Sequence, residues 1–247
     1  MAPASFADWL ATPPGRHLLD WEQARLDNLV ADIFGYNAVQ VGFPQVDFLR
    51  ANRMPFRFYC CDRAGVAVQG DPHHLPFATS SLDLVVLPHV LEFAANPHQI
   101  LREVDRALAP EGSAVVTGFN PFSLWGLRRL LAGKRGEPPW QGRYISVPRL
   151  RDWFALLGHE SRAGAFGCYV PPVTQEKWLQ RWRFLETAGD RWWPFLGGAY
   201  VVQAIKRQPG MRLITPKWKD RLARAKALAL APQKPATQKH GKAADAQ

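Results

Sequence analysis

Residues 70–121 read GDPHHLPFATSSLDLVVLPHVLEFAANPHQILREVDRALAPEGSAVVTGFNP. At the centre, Leu82 to Leu87 (LDLVVL) is an unbroken apolar run, the pattern of a parallel strand covered on both faces. Asn96-Pro97 then offers an N-cap and a first-turn proline, and a helix over His98 to Leu108 puts Ile100, Leu101, Val104 and Leu108 on one face. Pro110-Glu111-Gly112 stops that helix, and Ser113 to Gly118 (SAVVTG) is the next strand. Strand, helix and strand joined by short connections call for parallel pairing in an α/β sheet.

Outward from this centre the same grammar continues. Leu19 to Phe34 has the mixed apolar and charged pattern of a helix lying on a core. Ala38 to Val41 and Phe56 to Cys61 have strand composition, Val147 to Leu157 is a proline-started helix stopped by Gly158, and Ala199 to Ile205 is a late strand. The interval from Ala38 to Asp83 is too short for two full helices and two strands, so a helix is expected to be lost or shrunk there. The expected architecture is one α/β domain over residues 1–208, a doubly wound, mostly parallel sheet with a shortened first half. A helical, aromatic insertion spans about 168–196, and residues 209–247 form a basic, largely disordered tail.

Composition narrows the class. A chain of 247 residues with 47% apolar and 21% charged residues can bury a full core without staples. Cys60, Cys61 and Cys168 form no C-x-x-C pair, which argues against a zinc ribbon, a redox pair or a disulfide framework and suits a reducing cytoplasm. Apolar runs stop short of a membrane span, and the opening residues do not have the order of a signal peptide. The net charge of +10 is unevenly spread: residues 206–247 hold 11 Lys or Arg against two Asp, while residues 1–205 hold 20 basic and 19 acidic side chains. Such a tail gives weak, salt-sensitive contact with a polyanion or a membrane surface and carries no sequence readout.

The order Gly-Asp, Leu-Pro-Phe, Leu-Asp-Leu, a leucine-glutamate segment, Asn-Pro, and Pro-Glu-Gly before an apolar strand resembles class I S-adenosylmethionine-dependent methyltransferases, specifically the type 11 small-molecule group. It also closely resembles a bacterial subgroup with a degenerate glycine loop. The resemblance implies a Rossmann-like class I methyltransferase fold and S-adenosylmethionine as cofactor, seated at the carboxyl ends of the strands. The activity implied is methyl transfer to an unidentified small molecule, apolar in one reading. Asp71 matches the acid that accepts a hydrogen bond from the adenine amino group, with Pro72 beside it. Asp62 is the nearest candidate for the acid on the ribose hydroxyls, with a turn residue as the rival reading. Gly42 and Leu87 complete the expected cofactor set. The chain departs from the family pattern at Gln40, which stands where an acid is usual, and at Pro44 and Val46, which replace spaced glycines.

His89 and Glu92 follow the strand that ends at Leu87 and are the first candidates for a base beside the transferred methyl, against local pairing and packing. Asn120, Ser123 and Trp125 are the candidate substrate residues, against a plain Asn-Pro turn. The aromatic stretch from Trp178 to Phe195 reads as core packing, a lid, or an element resting on a membrane beside Leu127 to Leu131. His73-His74 lacks a third ligand at metal spacing, so no metal is expected, and His17, His98 and His159 read as isolated surface residues. Besides the enzyme, two further readings stay open: a methyltransferase fold that has lost cofactor binding and serves as a binding or scaffold protein, and a nucleic-acid protein recruited by the tail.

Overall fold

Seven strands form one sheet in the order β3-β2-β1-β4-β5-β7-β6: β1 Asn37–Val41, β2 Phe56–Cys61, β3 Val68–Gln69, β4 Leu82–Pro88, β5 Leu108–Phe119, β6 His159–Gly167 and β7 Ala199–Lys206. Neighbours are parallel from β3 through β5, and β7 runs antiparallel to both β5 and β6. The computed structural model describes residues 5–63, 65–132, 138–172, 177, 181–182 and 184–207, all within one compact unit. The tail expected over residues 209–247 lies outside the described residues.

Two apolar layers sandwich the sheet. On one face Ile100, Leu101 and Val104 of α4 (Pro97–Ala107) and Leu150, Trp153 and Phe154 of α6 (Val147–Leu156) pack on Val39, Val85, Leu87, Val116 and Val202. On the other, Leu26 and Val30 of α2 (Pro13–Ala31) cover Ala38, Leu84, Val86, Val115 and Val201. The continuous run in β4 follows from its position, since Leu84 to Leu87 alternate between the two layers and all are fully buried. Asp83 breaks the run for a reason: its Oδ2 accepts from the backbone N–H groups of Tyr36 and Asn37 at 2.7 and 3.0 Å, fixing the entry of β1.

The first half of the sheet carries the expected shortening to its limit. Among the described residues no helix lies between β1 and β4. The crossover from β1 to β2 is instead an irregular loop whose Phe48, Leu49 and Met54 join the α2 layer. Such a loop must satisfy its backbone without a helical ladder, and side chains do so. Asn52 Nδ2 donates to the carbonyls of Val30 and Ile33 at 2.7 and 3.1 Å, its Oδ1 accepts from Met54 N, and Arg57 donates to the Asn52 carbonyl at 2.8 Å.

Several boundaries differ from the sequence reading. The N-terminal helix begins at Pro13, with two prolines in its first turn, and ends at Ala31, leaving Phe34 exposed; a shorter helix, α1 (Phe6–Leu10), precedes it. Helix α4 stops at Ala107, because Leu108 already pairs with Leu82 in the sheet, and the Pro-Glu-Gly segment forms an irregularity within β5. The polar segment of β6 was not anticipated, since an edge strand needs little apolar pattern of its own. His159 is buried against Asp105 at 2.9 Å and the half-buried His17 pairs with Glu186, so neither is an isolated surface residue, while His98 is exposed as expected, its ring tilted against Trp153.

Candidate functional site

The loops that leave the carboxyl ends of β1, β2, β3 and β4 surround a hollow of about 700 Å³. Gly42, Phe43 and Pro44 come from the first, Asp62 from the second, Asp71, Pro72 and His73 from the third, and His89, Val90 and Phe93 from the fourth; Phe6 of α1 forms a further wall. A crevice at this edge of an open parallel sheet is where strand ends point backbone donors and short side chains at a ligand. Phe43 and Pro44 line the space without filling it.

The loop after β1 is shaped by Gln40, which is fully buried. Its Nε2 donates to the carbonyls of Gly42, Phe43 and Val46 at 3.2, 2.8 and 2.8 Å, and its Oε1 accepts from Phe48 N at 3.0 Å. An ionised carboxylate only accepts hydrogen bonds, so an acid could not gather those carbonyls. Gln40 thus replaces the expected acid with an internal spool. Gly42 has φ +79°, and a Cβ there would lie 3.0 Å from Val90 Cγ2, so the bare backbone is needed at that point of the wall. Its N–H is already given to the Cys60 carbonyl at 2.8 Å.

The two aspartates differ in their surroundings. The Asp62 side chain lines the hollow with no hydrogen-bond or ion-pair partner among the described residues. Asp71 Oδ1 accepts from His73 N at 2.9 Å and sits 2.8 Å from His73 Nδ1. Those backbone and ring hydrogen bonds hold the Asp71 carboxyl below the usual carboxylate range, so it stays ionised and acceptor-only at neutral pH.

Directly after β4, His89 is clamped. Its Nδ1 lies 2.9 Å from Glu92 Oε2 and its Nε2 lies 2.8 Å from Glu22 Oε1 on α2, and all three side chains are buried. Burial alone would lower the His89 pKa, but the two carboxylates outweigh it and push it up to about 10. The geometry suits that direction, since both ring nitrogens lie within hydrogen-bond distance of carboxyl oxygens. Burial pushes Glu92 up, while its Oε1 accepts from Phe119 N. With both ring nitrogens of His89 engaged and Glu92 reaching Phe119 N, the triad ties α2 and β5 to the short helix α3 (Val90–Phe93) that walls the hollow.

Other expected residues stand away from the hollow. Leu87 is fully buried in the α4 and α6 layer. Asn120 Nδ2 donates to the carbonyls of Phe195 and Gly197, Ser123 Oγ donates to the Asn120 carbonyl, and Trp125 Nε1 donates to the Val170 carbonyl at 2.8 Å. Asn120 and Trp125 thus fasten the segment before β7 to the turn after β5, Ser123 braces that turn, and Ser123 lines a different cleft. Phe6 and Glu22 escaped the sequence reading. A signal for Glu22 existed: it stands on the same helical stripe as Leu18, Leu26 and Val30, where a charged residue needs a buried partner.

Comparison with known proteins agrees with this geometry. Residues 46–116 match a family model described as a methyltransferase domain, of the type 11 group. The uncharacterised protein YafS of Escherichia coli (strain K12) is 45% identical over 95 residues, which is 38% of this chain and 40% of YafS; the chain thus spans well under two thirds of that relative. Two solved structures share the fold, each with a TM-score of 0.57. An S-adenosylmethionine-dependent methyltransferase of Thermotoga maritima is 15% identical and covers 78% of this chain and 95% of its own. A Haloferax volcanii chain solved with the Trm112 methyltransferase activator is 16% identical and covers 84% and 98%. Residues 46–116 thus resemble a methyltransferase domain, and the fold is that of S-adenosylmethionine-dependent methyltransferases, whose cofactor is S-adenosylmethionine. The hollow suits this group on its own terms: its volume is that of a site for a drug-sized ligand, Asp62 offers two free acceptor oxygens for hydroxyl hydrogens, and Gly42 leaves the wall bare where a side chain would meet Val90.

Proposed function

We propose that the protein transfers a methyl group from S-adenosylmethionine to a small molecule with an apolar body. The observation that carries this reading is the hollow at the ends of β1 to β4, which Gly42, Asp62, Asp71 and Pro72 line together with Phe6, Phe43, Val90 and Phe93. Asp62 would accept the ribose hydroxyl hydrogens and Asp71 the adenine amino hydrogen. The aromatic rings would hold the substrate and keep water from it. S-adenosylmethionine supplies a methyl group on a positively charged sulfur with a neutral thioether as leaving group, so alignment can provide much of the rate enhancement. The Glu22-His89-Glu92 triad would act as a positioning device, holding α3 and Phe93 against the hollow. Residues 1–208 would form the catalytic domain and 209–247 an accessory tail. Three unpaired, buried cysteines suit a reducing compartment, and the cytoplasm is the proposed location.

Calorimetry of the full chain with S-adenosylmethionine tests the reading. Binding that Asp62→Ala and Asp71→Ala each weaken at least about tenfold is expected, each substitution removing a hydrogen bond to a charged group. No binding by the intact protein overturns it. The Gln40 spool and Pro44 favour a second reading, a non-catalytic binding protein on the same fold; binding without methyl transfer to any component of a small-molecule extract would support that one instead.

A further inference from the structure

Away from the hollow, the described surface carries a second feature that methyl transfer does not use. Helix α5 (Leu124–Ala132) turns Trp125 and Gly126 inward and presents Leu124, Leu127, Leu130 and Leu131 to solvent, Leu131 at 82% exposure. Its neighbour across an apolar cleft of about 290 Å³ is the segment of α7 (Phe184–Trp192) and the turn after it. There Trp192, Trp193 and Phe195 are exposed by 70%, 56% and 73%. Phe122, Leu124, Trp193 and Leu196 line the cleft together, so ridge and aromatic bank make one continuous apolar surface. A surface of this kind on a soluble chain marks something that covers it.

Charge identifies the occupant. Among the described residues of 122–140 and 168–196, Arg128, Arg129, Lys177, Arg181 and Arg191 are basic and Glu186 and Asp190 acidic, although residues 1–205 as a whole are nearly balanced. Of those acids, Glu186 is turned inward to His17 and to Val170 N. On α5 itself the cations stand on carbonyls and rings rather than on carboxylates: Arg128 donates to the Pro172 carbonyl and lies over Trp140, while Arg129 donates to the Gly142 carbonyl at 2.5 Å and lies over Tyr144. Among the described residues neither arginine pairs with a carboxylate, so both bring positive charge to the edge of the leucine ridge. A second copy of the chain would bring like charges together across such a face. Leucines that protrude, tryptophans beside them and a cationic rim match the polar-apolar boundary of a bilayer.

We propose that this face docks on an anionic lipid bilayer, with the α5 leucines and the Trp192–Phe195 bank entering the headgroup boundary and the arginines facing lipid phosphates. The inference is independent of methyl transfer, because its test is partition rather than activity. Full-length protein would be floated with vesicles of phosphatidylcholine alone and with added phosphatidylglycerol. Selective recovery with the anionic vesicles is expected, part of it persisting in about 0.5 M salt, where attraction by the tail is screened. Leu127→Asp/Leu131→Asp, at positions exposed in the fold, should leave the circular dichroism spectrum and melting temperature unchanged and lower the salt-resistant fraction by about tenfold or more. Failure of the intact chain to float, complete release by salt, or equal flotation of the double variant would each overturn the proposal. So would gel filtration showing that the substitutions split a dimer, which would make a second copy the occupant.

Discussion

The two halves of the sheet solve one covering problem by different means. From β4 onward the parallel crossovers run through helices, α3 and α4 before β5, then α5 and α6 before β6. From β1 to β4 the crossovers are loops, and the apolar layer is completed by α2 from the N-terminus with Phe48, Leu49 and Met54. In the helical half, backbone groups are satisfied locally and the sequence pattern is periodic. In the loop half they depend on single side chains, the buried Gln40 and Asn52 and the exposed Arg57, that reach several carbonyls each. The lesson is that the strand ends, rather than the helices, position the hollow: β1, β2 and β3 keep their parallel register without intervening helices, and the four loops still converge.

If the loop half rests on a few polar side chains, removing one should cost more there than an ordinary substitution does elsewhere. The largest loss is expected at the triad that joins the halves. Glu22→Gln or His89→Ala leaves a buried charge without its partner and should lower stability by about 3–5 kcal/mol in urea unfolding. The same cluster sets a pH dependence. The folded pKa of His89 is raised from 6.5 to about 10, so its contribution is full below pH 6.5 and is lost as pH rises through about 10. Glu92, raised by burial, acts in the same direction. The melting temperature should therefore fall across that window, and His89→Gln should flatten the slope.

Next in size is Gln40→Glu, which exchanges a donor for an acceptor among three carbonyls and should cost about 2–4 kcal/mol at neutral pH, with partial recovery in acid as the new carboxyl protonates. A loss no larger than that of an exposed substitution would break the comparison, since the loop would then not depend on its spool. Gly42→Ala should cost about 1–2 kcal/mol through its positive φ and the contact with Val90, and should weaken cofactor uptake in calorimetry by more than it weakens folding. Smallest of all, deletion of residues 209–247 should move the unfolding midpoint by less than about 0.5 kcal/mol, and a larger shift would refute the proposed division into domain and tail.

Much of the helical half was legible because its signals are local. The β4 run, the Asn96-Pro97 start of α4 and the Gly158 stop of α6 each depend on residues a few positions apart, and each lies within a residue or two of where the chain places it. Asp62, Asp71, Pro72 and Gly42 were readable as cofactor candidates by motif and order, and they do line one hollow. His89 and Glu92 were readable as chemistry-bearing types but not as a clamped pair, because the third member, Glu22, is 67 residues away in the chain. Asn120, Ser123 and Trp125 carried a polar and aromatic mix that suits a pocket or a turn equally, and only the positions of Phe195, Gly197 and Val170 separate the two.

What the sequence alone determined is the alternation of strands and helices around residues 70–121, the shortened first half and the aspartates at the strand ends, since hydrophobic period and turn chemistry act over short range. Only the tertiary structure decided the clamp on His89, the spool at Gln40 and the outward leucines of α5. Each of these depends on which distant groups share a low-dielectric interior or are left facing water, and such proximity is a property of the folded chain rather than of any stretch within it.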